Sequence, residues 1–244
     1  MTRSWFRFAL LVVLLAGAGA RATEAPPVLR VVAPTNQSMP MLKMAEQEPV
    51  DGLLKDLGEL LAQRLGLKAV FVPLPSKRAG PAVASGAADL LCYVKPEWIE
   101  GQVLWTQLFL SGIGVIAASA DAPAVTQLQD LQGEPLGTVL GYRYPVIERA
   151  FKQPLRRQDV ADADTNLRRL AVGRVRYAVT DRAALAYYLK LHPAAGLREV
   201  LEVEHYALGC ALSPGKAELL QPLNKAIDRL MADGVLETLR ARYR

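Results

Sequence analysis

Apolar and polar positions follow a strand–helix rhythm along this chain. Leu29-Arg-Val-Val-Ala33 is a short β-favouring run. Beyond it, Leu53, Leu54, Leu57, Leu60, Leu61 and Leu65 fall on one helical stripe, which predicts a helix from Gly52 to Leu65 capped by Asp51. Gly66 stands where a left-handed terminator belongs. Ala69-Val-Phe-Val-Pro-Leu74 and Asp89-Leu-Leu-Cys-Tyr93 read as the next two strands, with a second helix between them. Strands separated by helices predict a parallel sheet, because parallel neighbours need a crossover.

The rhythm then recurs. Ile113–Ala117, Leu136–Val139 and Tyr177–Val179 read as strands. Pro145 to Phe151 reads as a helix with proline in its first turn. Asp164 is expected to cap a helix carrying Leu167, Leu170 and Ala171, and Asp181 one running to Lys190. His205–Leu212 is a further strand and Ser213-Pro-Gly215 a turn. Two amphipathic helices close the chain, one on Leu219, Leu220, Leu223, Ala226, Ile227, Leu230 and Met231, the other on Val235, Leu236, Leu239 and Tyr243.

The amino terminus breaks this pattern. Arg3 and Arg7 flank the start of the apolar run Phe8–Ala16, and small residues lead to Ala20-Arg-Ala22. This reads as a secretory signal, residues 1–22, cleaved before Thr23. The run is short for a bilayer about 30 Å thick. Cleavage removes three arginines and no acid, so the formal charge falls from +5 to about +2. No polybasic block with interleaved aromatics speaks for nucleic acid. No metal-ligand spacing, phosphate loop or nucleophile elbow is present, so neither metal nor cofactor is expected.

Taken together, Gly52-Leu-Leu-Lys-Asp-Leu-Gly-Glu-Leu-Leu-Ala-Gln-Arg-Leu-Gly66, Phe71-Val-Pro73, Ala84-Ser-Gly-Ala-Ala-Asp-Leu-Leu91, Leu128-Gln-Asp-Leu-Gln-Gly133, Leu136-Gly-Thr-Val-Leu-Gly141 and Gly173-Arg-Val-Arg-Tyr-Ala-Val-Thr-Asp181 resemble bacterial extracellular solute-binding proteins of family 3, over nearly all of the mature chain. The resemblance implies an α/β fold of the two-lobed periplasmic-binding-protein type II class, each lobe a mostly parallel sheet flanked by helices. It places one lobe in 23–112 plus 203–244 and an inserted lobe in 113–202. Two crossings between lobes would form a hinge, with the ligand in the cleft. It further implies a periplasmic monomer that takes up an amino acid-like solute or organic acid for an inner-membrane ABC permease. A ligand sensor without transport is one alternative. A dehydratase-like enzyme on the same fold is another, with Glu97 the first acid to test, since His192 and His205 sit in no catalytic cluster.

The resemblance also points to site residues. Family receptors hold a carboxylate with the Arg of a Thr-Pro-Glu-Arg-like stretch; the matching stretch here is Lys95-Pro-Glu-Trp98. An indole cannot make the bidentate pair of a guanidinium, so Lys95 as a point charge and Trp98 as a stacking surface are the expectations. Gly141-Tyr-Arg-Tyr-Pro145 follows a strand, and Arg143 flanked by Tyr142 and Tyr144 is the candidate anion site. Asp181 matches the residue that holds a ligand ammonium, beside its role as helix cap; Arg182 is the rival partner for its charge. Asn36 after the first strand, Arg78 after the second, and Tyr93 as stacking ring complete the set. Cys92 ends a strand that the segment holding Cys210 is expected to join, and export permits a disulfide, the alternative being two buried thiols.

Overall fold

The computed structural model describes residues 27–243; the expected signal segment lies outside them. The first strand, β1 (Val28–Pro34), leads to a hairpin of β2 (Lys43–Ala45) and β3 (Glu48–Asp51). Next come α1 (Leu53–Arg64), β4 (Lys68–Leu74), α2 (Ser76–Ala84), β5 (Leu90–Val94) and β6 (Leu104–Trp105). The long strand β7 (Leu110–Ala118) opens a second α/β unit of β8 (Leu136–Val139), α3 (Pro145–Ala150), β9 (Arg157–Val160), α4 (Ala163–Ala171), β10 (Tyr177–Asp181) and α5 (Arg182–Leu191). The strand β11 (Arg198–Leu212) returns, and α6 (Leu220–Ala232) and α7 (Val235–Ala241) finish the chain. Among the described residues no helix is long and apolar enough to cross a membrane.

The strands run in the order β4-β1-β5-β11-β7-β10-β8-β9. Pairings β1–β4, β1–β5, β8–β10 and β8–β9 are parallel, as the alternation predicts. β11 is antiparallel to β5, β6 and β7, and β7 to β10. The sheet is therefore mixed where it passes from one lobe to the other.

Side chains alternate across each half as strand geometry requires. Leu29, Val31 and Ala33 pack under α1, α6 and α7, whereas Val32 faces Ala79 and Val83 of α2. In the other half Ile116 and Ala118 face one layer, Val115 and Ala117 the other. Buried apolar residues of 29–110 and 208–239 form one pair of clusters, and those of 115–197 another. Two cores built from interleaved sequence are the physical basis of two lobes.

Two helix starts differ from expectation. Asp51 ends β3 and its carboxylate accepts from the Gly52 amide, so it does not cap α1. Gly52 takes that place at φ 115°, with no side-chain cap. The cap of α4 is Asp162, which accepts from Thr165 N at 2.7 Å, while Asp164 lies in the first turn beside Arg168. Gly66 does adopt the left-handed conformation, at φ 69°, and Asp181 does cap α5, accepting from Ala183 N at 2.8 Å.

Candidate functional site

A cavity of about 160 Å³ lies beyond the carboxyl ends of β1, β5, β8 and β10, where crevices form in open α/β sheets. Its wall takes Gln37, Ser38, Tyr93 and Trp98 from one lobe and Tyr142, Arg143, Tyr144 and Asp181 from the other. Glu204 and Tyr206 of β11 border it as well.

Asp181 is the centre of its polar network. The hydroxyl of Tyr93 donates to Asp181 Oδ2 at 3.0 Å, and that of Tyr206 donates to the same oxygen. Burial first, and then the Asp181 charge, push both phenols well above their ordinary range. They are thus neutral donors at any physiological pH. Tyr93 holds its position with φ 64°, a left-handed conformation that costs a bulky residue energy and that clusters at functional sites. Gly112 makes the assembly possible: a Cβ there would sit 2.2 Å from the Tyr206 ring and 2.7 Å from the Tyr93 hydroxyl. The charge rival does not materialise, because Arg182 turns to Glu199 and Glu202.

A second cluster lies alongside. Lys95 Nζ pairs with Glu204 Oε2 at 2.6 Å and sits 5.0 Å from the Trp98 ring centroid and 5.6 Å from that of Tyr206. The Trp98 and Tyr206 rings meet edge to face at 5.1 Å. The Trp98 Nε1–H is buried without an acceptor among the described residues. Lys95, expected as a free point charge, is therefore neutralised inside the protein and does not border the cavity.

Asn36 does different work from that expected. It is buried, at 3% exposure. Its Oδ1 accepts from the amide and the hydroxyl of Ser76, and its Nδ2 donates across the cleft to Leu140 O at 3.0 Å. Its main-chain oxygen accepts from the Tyr142 hydroxyl at 3.1 Å and from the Ala163 amide at 3.2 Å. Asn36 does not border the cavity and instead ties one lobe to the other. Arg78 lies in the first turn of α2, exposed, and does not border the cavity; a helix there turns it outward, where the sequence suggested a cleft loop. Arg143 stands at the rim, its side chain 49% exposed and 3.5 Å from Glu100. Tyr144 faces the cavity but accepts from Val139 N at 3.0 Å, beneath the Arg157 guanidinium.

Sequence reasoning missed Tyr206 and Glu204. Their i, i+2 spacing on a strand puts both side chains on one face, a signal that was available. That this face meets the cavity depended on the path of β11. Cys92 and Cys210 sit opposite each other on β5 and β11 and are joined by a disulfide, leaving no free cysteine among the described residues. No group of three or more His, Cys, Asp or Glu able to hold a metal occurs among those residues.

Comparison with known proteins agrees with this geometry. The family model for bacterial extracellular solute-binding proteins, family 3, matches residues 31–244. The L-cystine-binding protein TcyJ of Escherichia coli strain K12 is 25% identical over 203 residues, spanning 79% of this chain and 73% of that protein. Among solved structures, an ancestral arginine-binding protein bound to arginine superposes with TM-score 0.76 at 25% identity, covering 88% of this chain and 97% of that one. The GluR0 ligand-binding core in complex with L-glutamate shares the fold, with TM-score 0.76 at 19% identity, over 90% of this chain and 99% of that one.

Proposed function

The chain belongs to the bacterial extracellular solute-binding proteins of family 3, and from that premise we propose that it captures one small polar or charged solute in the periplasm and delivers it to an inner-membrane ABC permease. The fold is that of the two-lobed type II periplasmic-binding proteins. The observation that carries the reading is the cavity at the strand ends, walled by aromatic rings from both lobes around the Asp181 carboxylate. Concave, largely apolar sites with a few convergent polar groups are what small solutes fill.

In this reading the lobes are residues 23–112 with 203–244, and 113–202, and the chain crosses between them through β7 and β11. Closure is favoured only by contacts that a solute makes better with both lobes than with one. Asp181, Tyr93, Trp98, Tyr142 and, at the rim, Arg143 are the residues assigned to it, with Tyr206 and Glu204 added and Asn36, Arg78 and Lys95 removed. In this reading the solute leaves unchanged, and His192, His205 and Glu97, the groups weighed for a dehydratase-like step, do not border the cavity.

A thermal-shift panel of amino acids, amines, organic acids and aromatic acids tests the proposal. A solute at 100 times its dissociation constant should stabilise the protein by about 2.7 kcal/mol, and mass spectrometry should recover it intact. A panel in which no small solute raises the melting temperature, or in which products appear, would count against capture.

A further inference from the structure

Resting on the solute-binding reading, we propose that the solute is a small organic ammonium ion that carries no carboxylate. The charges around the cavity lead there. Two carboxylates border it, Asp181 and Glu204. Glu204 is neutralised by Lys95 at 2.6 Å. Every guanidinium near Asp181 is engaged elsewhere. Arg182 binds Glu199 and Glu202. Arg240 reaches Glu237 and Ser111. Arg157 binds Asp159 and the main-chain oxygens of Val139 and Tyr142. Arg143 lies half-exposed at the rim beside Glu100. Asp181 thus keeps a negative charge with no cationic partner among the described residues.

Its surroundings hold that charge without cancelling it. The hydroxyls of Tyr93 and Tyr206 and the amide of Ala183 are neutral donors. They take three of the roughly four acceptor positions of a carboxylate, which leaves room for one more donor. Tyr93, Trp98, Tyr142, Tyr144 and Tyr206 supply ring surface around it. Such rings attract a cation through their negative faces, and alkylammonium groups are bound by cages of this kind. The ammonium of Lys95 already lies over two of these rings.

A carboxylate finds one guanidinium on the wall, Arg143, and that one sits half-exposed at the rim with Glu100 3.5 Å away. The helix-start amides of Ser76, Ala163, Thr165 and Ala183 donate to Asn36, Asn36, Asp162 and Asp181. The buried donor left over on the wall is the neutral indole N–H of Trp98, which suits a hydroxyl or carbonyl. A solute carboxylate would instead meet the Asp181 carboxylate, and like charges at close quarters repel. The cavity therefore selects for the ammonium and against the acid.

Calorimetric titration of the mature protein with matched pairs decides the matter: agmatine against arginine, cadaverine against lysine, choline against glycine betaine. Each pair differs in a carboxylate. At least one amine should bind, with its carboxylated partner at least tenfold weaker. Asp181→Asn, which keeps a residue able to cap α5, should weaken that amine at least tenfold with the circular dichroism unchanged, and Trp98→Leu should weaken it without touching the charge. An acid that binds as tightly as its amine overturns the inference. So does a panel in which only neutral or anionic solutes bind, although capture itself then stands; if nothing binds, both readings fall.

Discussion

Asp89 is 1% exposed and accepts hydrogen bonds from the main-chain N, Nε and Nη2 of Arg30. Burial pushes its carboxyl up, but the bonds and charge of Arg30 outweigh that and leave it below the ordinary carboxylate range. The folded state therefore favours the ionised form. The pair's stabilisation is fully present above the unfolded value, about pH 4, and is lost as pH falls through the lower folded value. We predict that Asp89→Asn flattens the dependence of urea stability on pH below about 4 and lowers stability at neutral pH. Removing one partner of a buried pair costs ~3–5 kcal/mol, and the part-exposure of Arg30 puts this variant at or below the lower figure. Equal acid sensitivity in variant and parent would refute the assignment. Gly112 is a second residue with a sharp requirement. Gly112→Ala would push the Tyr206 ring off Asp181, so solute affinity should fall tenfold or more, read by the same calorimetry.

The hairpin of β2 and β3 shows why some elements were legible and this one was not. The leucine stripe of α1 announces a helix by its period, and the stripe is buried as predicted: Leu57 and Leu61 are fully buried. Lys43-Met-Ala45 and Glu48-Pro-Val-Asp51 have no such alternation, and their turn is made by Glu46 and Gln47 at φ 49° and 71° rather than by Gly or Asn. Turn chemistry normally marks a hairpin, and here the mark is absent. The hairpin then displaces the start of α1. Gly52, at φ 115°, lies where a Cβ would be 2.6 Å from Met41 O. Gly52→Ala therefore carries both a strained conformation and a backbone clash, and should cost ~1–3 kcal/mol or more by urea denaturation. A variant within a few tenths of a kcal/mol of the parent would show that this joint yields freely.

Two devices act on the molecule as a whole. The Cys92–Cys210 disulfide ties β5 to the returning strand β11 across 118 residues of sequence. Cross-links of this reach restrict the unfolded chain, so reduction should cost about 2–4 kcal/mol in chemical denaturation. The second device is Asn36, which bonds Leu140, Tyr142 and Ala163 across the cleft. Asn36→Ala removes the side-chain bond to Leu140 and the support of Ser76. It should shift the population toward an open form, seen as a larger radius of gyration by small-angle scattering, with weaker solute binding and a fold unchanged by circular dichroism. An unaltered scattering profile would show that this contact does not hold the lobes together.

The periodic patterns predicted most of the elements and their α/β alternation, because burial period and helix or strand geometry are local properties written into neighbouring residues; the family came from the resemblance of motifs in their order along the chain. The resemblance pointed to Asp181, Tyr93, Trp98 and Tyr142, and all four border the cavity. It had no access to the fate of each charge. Whether Lys95 stays free or meets Glu204, and whether Arg182 serves Asp181 or Glu199, depends on groups brought together from distant parts of the chain by β11. Asn36 and Ser76 are 40 residues apart and Asn36 and Leu140 are 104 apart, so only the folded chain could turn an expected ligand residue into a tie between lobes. Pairing energies depend on separation in space, and that separation is set by tertiary structure alone.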